Sequence, residues 1–183
     1  MSLITITCPT GCVGWLPAVE FDNCDPSVDF SEISQIYLTG VGEGLVDWTN
    51  PTEWAGRLDD DTLNDETLIR TLIVKGDQPP AESTEHEISN CRTIWGEKKF
   101  TINFDIDETN ITNHDFMRQI ECGGQFTMWY AAGDYMYGGT SGVDVSVSLN
   151  QNITRGCTEM NLLTGSIKWQ NKFHPEKIVN PLI

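Results

Sequence analysis

Long apolar runs are missing from this chain of 183 residues, and with them the makings of a membrane-spanning helix, which takes about 20 consecutive apolar positions. Met1 to Gly14 carries neither a basic stretch nor a long apolar one, so no secretory signal is expected there. Cysteine is sparse: six in the chain falls well short of the density at which disulfides stand in for a core. Cations are sparser still for the size. Eleven Lys and Arg face 27 Asp and Glu, a net charge of −16. Binding nucleic acid by counterion release needs many cations, so that class is excluded. What is left is an acidic globular protein of one domain spanning residues 1–183.

Clusters that carry chemistry are also missing. Cys8 and Cys12, with Cys24 beyond them, form the one tight cysteine group, and a structural zinc site needs two close pairs. His86, His114 and His174 lie in separate segments. The run Asp59-Asp60-Asp61 starts like a calcium loop, but Leu63 stands at its fifth position and Arg70 at its twelfth, where oxygen ligands are required. The acids Asp105, Asp107 and Glu108 read as solvated turn residues. No nucleophile elbow occurs, and Gly138-Gly139 is followed by neither the lysine nor the helix of a phosphate loop. The sequons at Asn110 and Asn152 are common by chance. No catalytic residue, cofactor, metal or small-molecule substrate is therefore expected, and an enzyme is not the reading.

The charge is uneven. Met1 to Asn90 holds 17 acids against Arg57, Arg70 and Lys75, whereas Cys91 to Ile183 holds ten acids against eight bases. The acidic half also contains Leu68 to Val74 and several tryptophans, so it joins a core and is no disordered tail. Two stretches read as long loops: Val41–Glu66, punctuated by Gly42, Gly44, Pro51 and the aspartate run, and Gly76–Asn90, broken by Pro79-Pro80. Loops of this length are functional or ordered by a partner. Trp48 and Trp54 in the first loop imply that it folds back on the body or docks on a neighbour.

Strands are expected near Leu3–Thr7, Ile33–Leu38 and Leu68–Val74. In the second half, Phe100, Ile102, Phe104 and Ile106 alternate with polar residues, which predicts a half-buried strand. A short helix follows, capped by Thr112 or Asn113, burying Phe116, Met117 and Ile120, and stopped by Gly123-Gly124. Strands then come at Gln125–Tyr130, Tyr135–Tyr137, Val143–Leu149 and Glu159–Gln170, with a bulge expected at Gly165. This order predicts a mainly β fold, an antiparallel β-sandwich or open barrel with one short α-helix across an end and long loops.

The span Glu97–Trp169 resembles the core of bacteriophage tail tube proteins. The likeness rests on the strand Lys99–Asp107, the polar turn Glu108–Asn113 and the helix around Phe116–Ile120. It continues through Gly123-Gly124, the strand Phe126–Tyr130, Tyr137-Gly138-Gly139 and the closing strand Leu163–Trp169. In style the chain is also similar to virion proteins of phages of gut Bacteroidetes. The resemblance implies a virion structural protein made in the bacterial host cytoplasm. It implies a homo-oligomer that joins copies of itself and other virion proteins into a ring or tube, with DNA at most a passing, non-specific cargo. It further implies that residues 1–30, 41–66 and 76–90 are assembly arms, with Trp48, Trp54, Asp59, Asp60, Asp61, Glu82 and Glu85 as contacts. The N-terminal 90 residues do not follow the family pattern. Two other readings fit a β domain: a capsid auxiliary or decoration protein docking on the phage shell, and a carbohydrate-binding module using Trp48, Trp54, Trp95 and Trp129 as stacking platforms.

Overall fold

In the computed structural model, residues 31–60, 66–88, 92–153 and 161–183 are described, and for 86–88 and 92–95 the backbone only. The expected strand at Leu3–Thr7, the arm 1–30 and Asp61 lie outside them. In chain order the elements are β1 (Ile33–Thr39), α1 (Pro51–Ala55), β2 (Arg70–Asp77), β3 (Glu82–Ile88), β4 (Arg92–Ile106) and α2 (Ile111–Gly123). Then come β5 (Gln125–Ala132), β6 (Tyr135–Tyr137), β7 (Val143–Asn152), β8 (Leu162–Asn171) and β9 (Lys177–Val179). All ladders between strands are antiparallel. The order β1-β2-β4-β8-β7-β5 returns to β1, so six strands close a barrel, while β6 and β9 extend from β5, and β3 pairs with β4 off the ring.

Alternation decides which side chains enter the barrel. Phe100, Ile102, Phe104 and Ile106 of β4, Val143, Val145, Val147 and Leu149 of β7, and Leu163, Ile167 and Trp169 of β8 all point into one core with Leu72, Val74, Met128 and Tyr130. The interior is filled, as expected of a barrel this small. One end is closed by α2, whose Met117 and Ile120 join the same core. Its cap is Asn110, two residues before Thr112 and three before Asn113: the Asn110 side chain accepts from the Asn113 N–H at 2.8 Å. Gly124, at φ 66°, ends the helix in the left-handed conformation.

Gly165 does not form a bulge. It pairs in unbroken register with Phe104 on one side and Leu149 on the other. The glycine is required by volume: a Cβ built there would sit on the Phe104 ring. The stretch Gly76–Asn90 is not a loop either. Pro79-Pro80 break only the short connection between β2 and β3, and residues 76–77 and 82–88 are strand. The first long loop contains a five-residue helix, α1, opened by Asn50 as cap and Pro51 at its first position.

Because Phe104 is buried against the glycine, Gly165→Ala overpacks the barrel. It is expected to lower stability by about 1–3 kcal/mol in urea denaturation, with partial recovery when Phe104 is also shortened to leucine.

Candidate functional site

Two strands of the barrel are buried on both faces. β1 is buried continuously from Ile36 to Thr39, and β5 from Thr127 to Ala131. Their inward residues belong to the barrel. Their outward residues, Tyr37, Trp129 and Ala131, enter a second core with Leu45, Trp48, Trp54, Ile69 and Met136. The residues that cover this wall come largely from the segment 41–60. Trp54 is fully buried, 5.3 Å from Tyr37 and 5.3 Å edge-on from Trp129. Its indole N–H donates to the Trp48 carbonyl at 2.9 Å, and that of Trp129 donates to the Gly139 carbonyl at 2.7 Å.

The irregular backbone of this segment finds its partners locally. Arg57 donates to the carbonyls of Thr67, Gly44 and Glu43 at 2.7, 2.9 and 3.0 Å. The Glu53 carboxylate accepts from the N–H groups of Val46 and Asp47. The Thr49 hydroxyl and N–H hold the Asp47 carboxyl below its usual pKa. The segment therefore belongs to its own subunit's fold. Trp48 and Trp54 take the first of the two courses expected of their loop, folding back on the body, and are buried inside the chain. The same burial removes Trp48, Trp54 and Trp129 as platforms for a sugar ring, and the side chain of Trp95 lies outside the described residues.

The aspartate run is also used locally at its start. Asp59, at φ 48°, accepts from the Thr71 N–H at 3.1 Å and lies 3.9 Å from Arg70, half exposed. Asp60 is partly exposed beside it. Glu82 and Glu85 stand elsewhere, both exposed on β3. Among the described residues no three His, Cys, Asp or Glu side chains gather as metal ligands, and Cys122 is exposed on α2.

The feature of the fold with unmet pairing capacity is the β3–β4 ribbon. β4 is 15 residues long. Its pairing with β8 begins at Lys98; before that, its residues 92–95 pair with β3 alone among the described residues, and 96–97 face a register shift between Ser83 and Glu85. At 3.3 Å per residue those six positions carry the ribbon roughly 20 Å past the last rung shared with β8. The outer edge of β3 has no partner among the described residues. On the ring itself, the β7–β8 ladder stops at the pair Ser146–Lys168, although β8 runs on along β4 to Asn171 and the start of β7 pairs with β5. Between the parted strands lies a cleft of about 730 Å³, its wall including Phe100, Phe126, Trp169, Lys99 and Lys168. Sequence reasoning singled out none of these five as contacts, because their approach follows from barrel closure and leaves no local signal.

Trp54→Ala is expected to cost about 3–5 kcal/mol in denaturant titration, the loss of a core aromatic. Burial, with the Asp59 charge as a smaller cause, pushes the Tyr37 phenol up from 10.0 to about 12. Burial likewise raises Tyr130, whose hydroxyl donates to Gln78. The unfolded chain releases the Tyr37 proton first, so the stability this phenol contributes is present below pH 10 and lost as pH rises toward 12. Tyr37→Phe should flatten that alkaline loss by about 1.4 kcal/mol per pH unit, read from urea midpoints. Compared with protein-family models, with curated proteins and with solved structures, the chain matches none of them.

Proposed function

We propose that this chain is a structural protein of a bacteriophage particle, similar to tail tube proteins, that joins copies of itself into a ring or tube. The observation that carries the reading is the β3–β4 ribbon, which runs past the barrel with its outer edge unpaired among the described residues. A two-stranded ribbon by itself is only marginally stable in water. Open edges are templates for pairing with another chain. The ribbon thus takes the role of assembly arm that the resemblance implies for residues 76–90, and Glu82 and Glu85 are the contacts it presents. The described part of the segment 41–66 completes the core of its own chain through Leu45, Trp48 and Trp54.

The filled barrel adds a constraint. Side chains occupy its interior, so no passage runs through a single subunit, and any channel for DNA lies between copies arranged around an axis. The net charge of −16 suits a conduit, because a wall of this sign does not hold phosphates.

The ribbon is removable by design. Ser83 and Lys98 are directly paired, so replacing residues 84–97 with a two-residue Asn-Gly turn leaves that pair to close a tight hairpin. The wild-type chain is expected to give rings or tubes by negative-stain microscopy. The shortened chain is expected to run as a monomer on size exclusion, with a Tm within about 5 °C of the wild type. Unchanged assembly after the replacement counts against the reading, as does a wild-type chain that stays monomeric at high concentration.

A further inference from the structure

We propose that the cleft between β7 and β8 is the socket for the acidic edge of β3 from a second copy of this chain. The inference rests on the self-assembly reading and names the surface that receives the arm.

Three observations converge on the cleft. The first is pairing. Residues 144–146 and 168–170 line it from its two sides, just where the β7–β8 ladder ends. An extended segment entering there meets strand edges that have no rung between them among the described residues, the requirement for recognition by strand addition. The second is an orphaned donor. Trp169 lines the cleft and is 5% exposed, yet its indole N–H is buried with no acceptor. Buried polar groups without partners are rare in folded proteins, and an incoming strand that shifts the Trp169 ring brings this one the oxygen acceptor it lacks.

The third is charge. Lys99 and Lys168 are exposed on the cleft wall, on adjacent strands where Thr101 pairs with Lys168 and Lys99 with Gln170. Neither forms an ion pair among the described residues. Two acids share the wall. Asp144 accepts from the Thr127 hydroxyl at 2.8 Å, and Glu82 is the cross-strand partner of Lys99 at the root of the ribbon. In a chain of net charge −16, two exposed lysines without an ion pair among the described residues, on the wall of a cleft of mixed polarity, favour an acidic guest. The sequence of β3, Glu-Ser-Thr-Glu-His-Glu-Ile, is acidic, extended and unpaired on its outer edge among the described residues. Only its first residue, Glu82, reaches the cleft of its own chain; the rest cannot turn into it, because the ladder with β4 fixes β3 in place. The guest strand therefore belongs to another copy.

Sedimentation velocity of the full-length chain at one ionic strength tests this with Glu85→Lys, Lys168→Glu, the two combined, and Trp169→Phe. Both charged positions are exposed, so the fold is not at stake. Each single reversal is expected to weaken association about tenfold, and the combined swap to restore it to within about threefold. Trp169→Phe, which keeps the ring stack on Phe100 and removes the N–H, is expected to weaken it about threefold. A wild type that assembles while ignoring these changes, or a combined swap weaker than either single one, overturns the socket and leaves the self-assembly reading standing. A wild type that remains monomeric overturns both.

Discussion

The edge-on contact of Trp54 with Trp129 seals the second core of this molecule onto the outer face of β5. Trp129 sits on the outer face of β5, a strand whose inner face already lines the barrel. Left bare, that outer face would present Tyr37, Trp129 and Ala131 to water as one apolar patch. Trp54 covers it, but only because the surrounding segment is stiffened in an irregular path. A buried irregular backbone is costly unless each polar group finds a partner. Arg57 answers that need with one planar fork reaching three carbonyls, a geometry that a lysine does not offer. At the exposed side of the same segment Glu53 accepts from two N–H groups.

From this follows a division of labour along the acidic half. Its first described stretch is core, and its last is the edge strand β3. Composition treats the two alike, since both read as polar, acidic and broken by glycine or proline. Packing separates them. The difference is tryptophan: with nearly every ring of 48 and 54 hidden, the first stretch has a reason to fold inward, whereas β3 has no large apolar side chain before Ile88.

Legibility of the fold in the sequence tracked how many faces of each element are wet. β7 alternates without a fault, buried at 143, 145, 147 and 149 and exposed between, because one face meets the core and the other meets water. α2 was equally readable, since Met117 and Ile120 share one stripe and Gly124 ends it; only the cap moved, from Thr112 or Asn113 to Asn110. β1 and β5 lose the alternation where both faces are covered. β3 fails in the opposite sense: its residues 82–85 are all exposed, so no apolar period marks it, and Pro79-Pro80 give the stretch the composition of a loop. Gly165 was read as a local distortion, whereas its cause is the Phe104 ring across the ladder. The candidate site was half legible: Glu82 and Glu85 fall on the ribbon, but the cleft is assembled from strands far apart in sequence.

The ribbon and the cleft are different patches, and this governs what a contact between them generates. A self-complementary patch closes a two-fold dimer and stops there. A patch that fits a second, separate patch repeats, giving a ring when the rotation closes and a filament when it does not. The barrel sets the angle between the two, because Lys98 and Lys99 at the root of the ribbon and Lys168 at the cleft are fixed on one ladder between β4 and β8, Lys99 and Lys168 two rungs apart. Charge then selects among approaches. Two bodies of −16 repel over distances shorter than the screening length, about 8 Å at physiological salt, so most encounters between copies are unfavourable at close range. An approach that brings β3 acids onto Lys99 and Lys168 reverses the sign locally. In the proposed assembly the acidic surface thus has two effects at once: it discourages sideways aggregation of open edges, and it leaves the lysine-flanked cleft as the place where an edge is welcome.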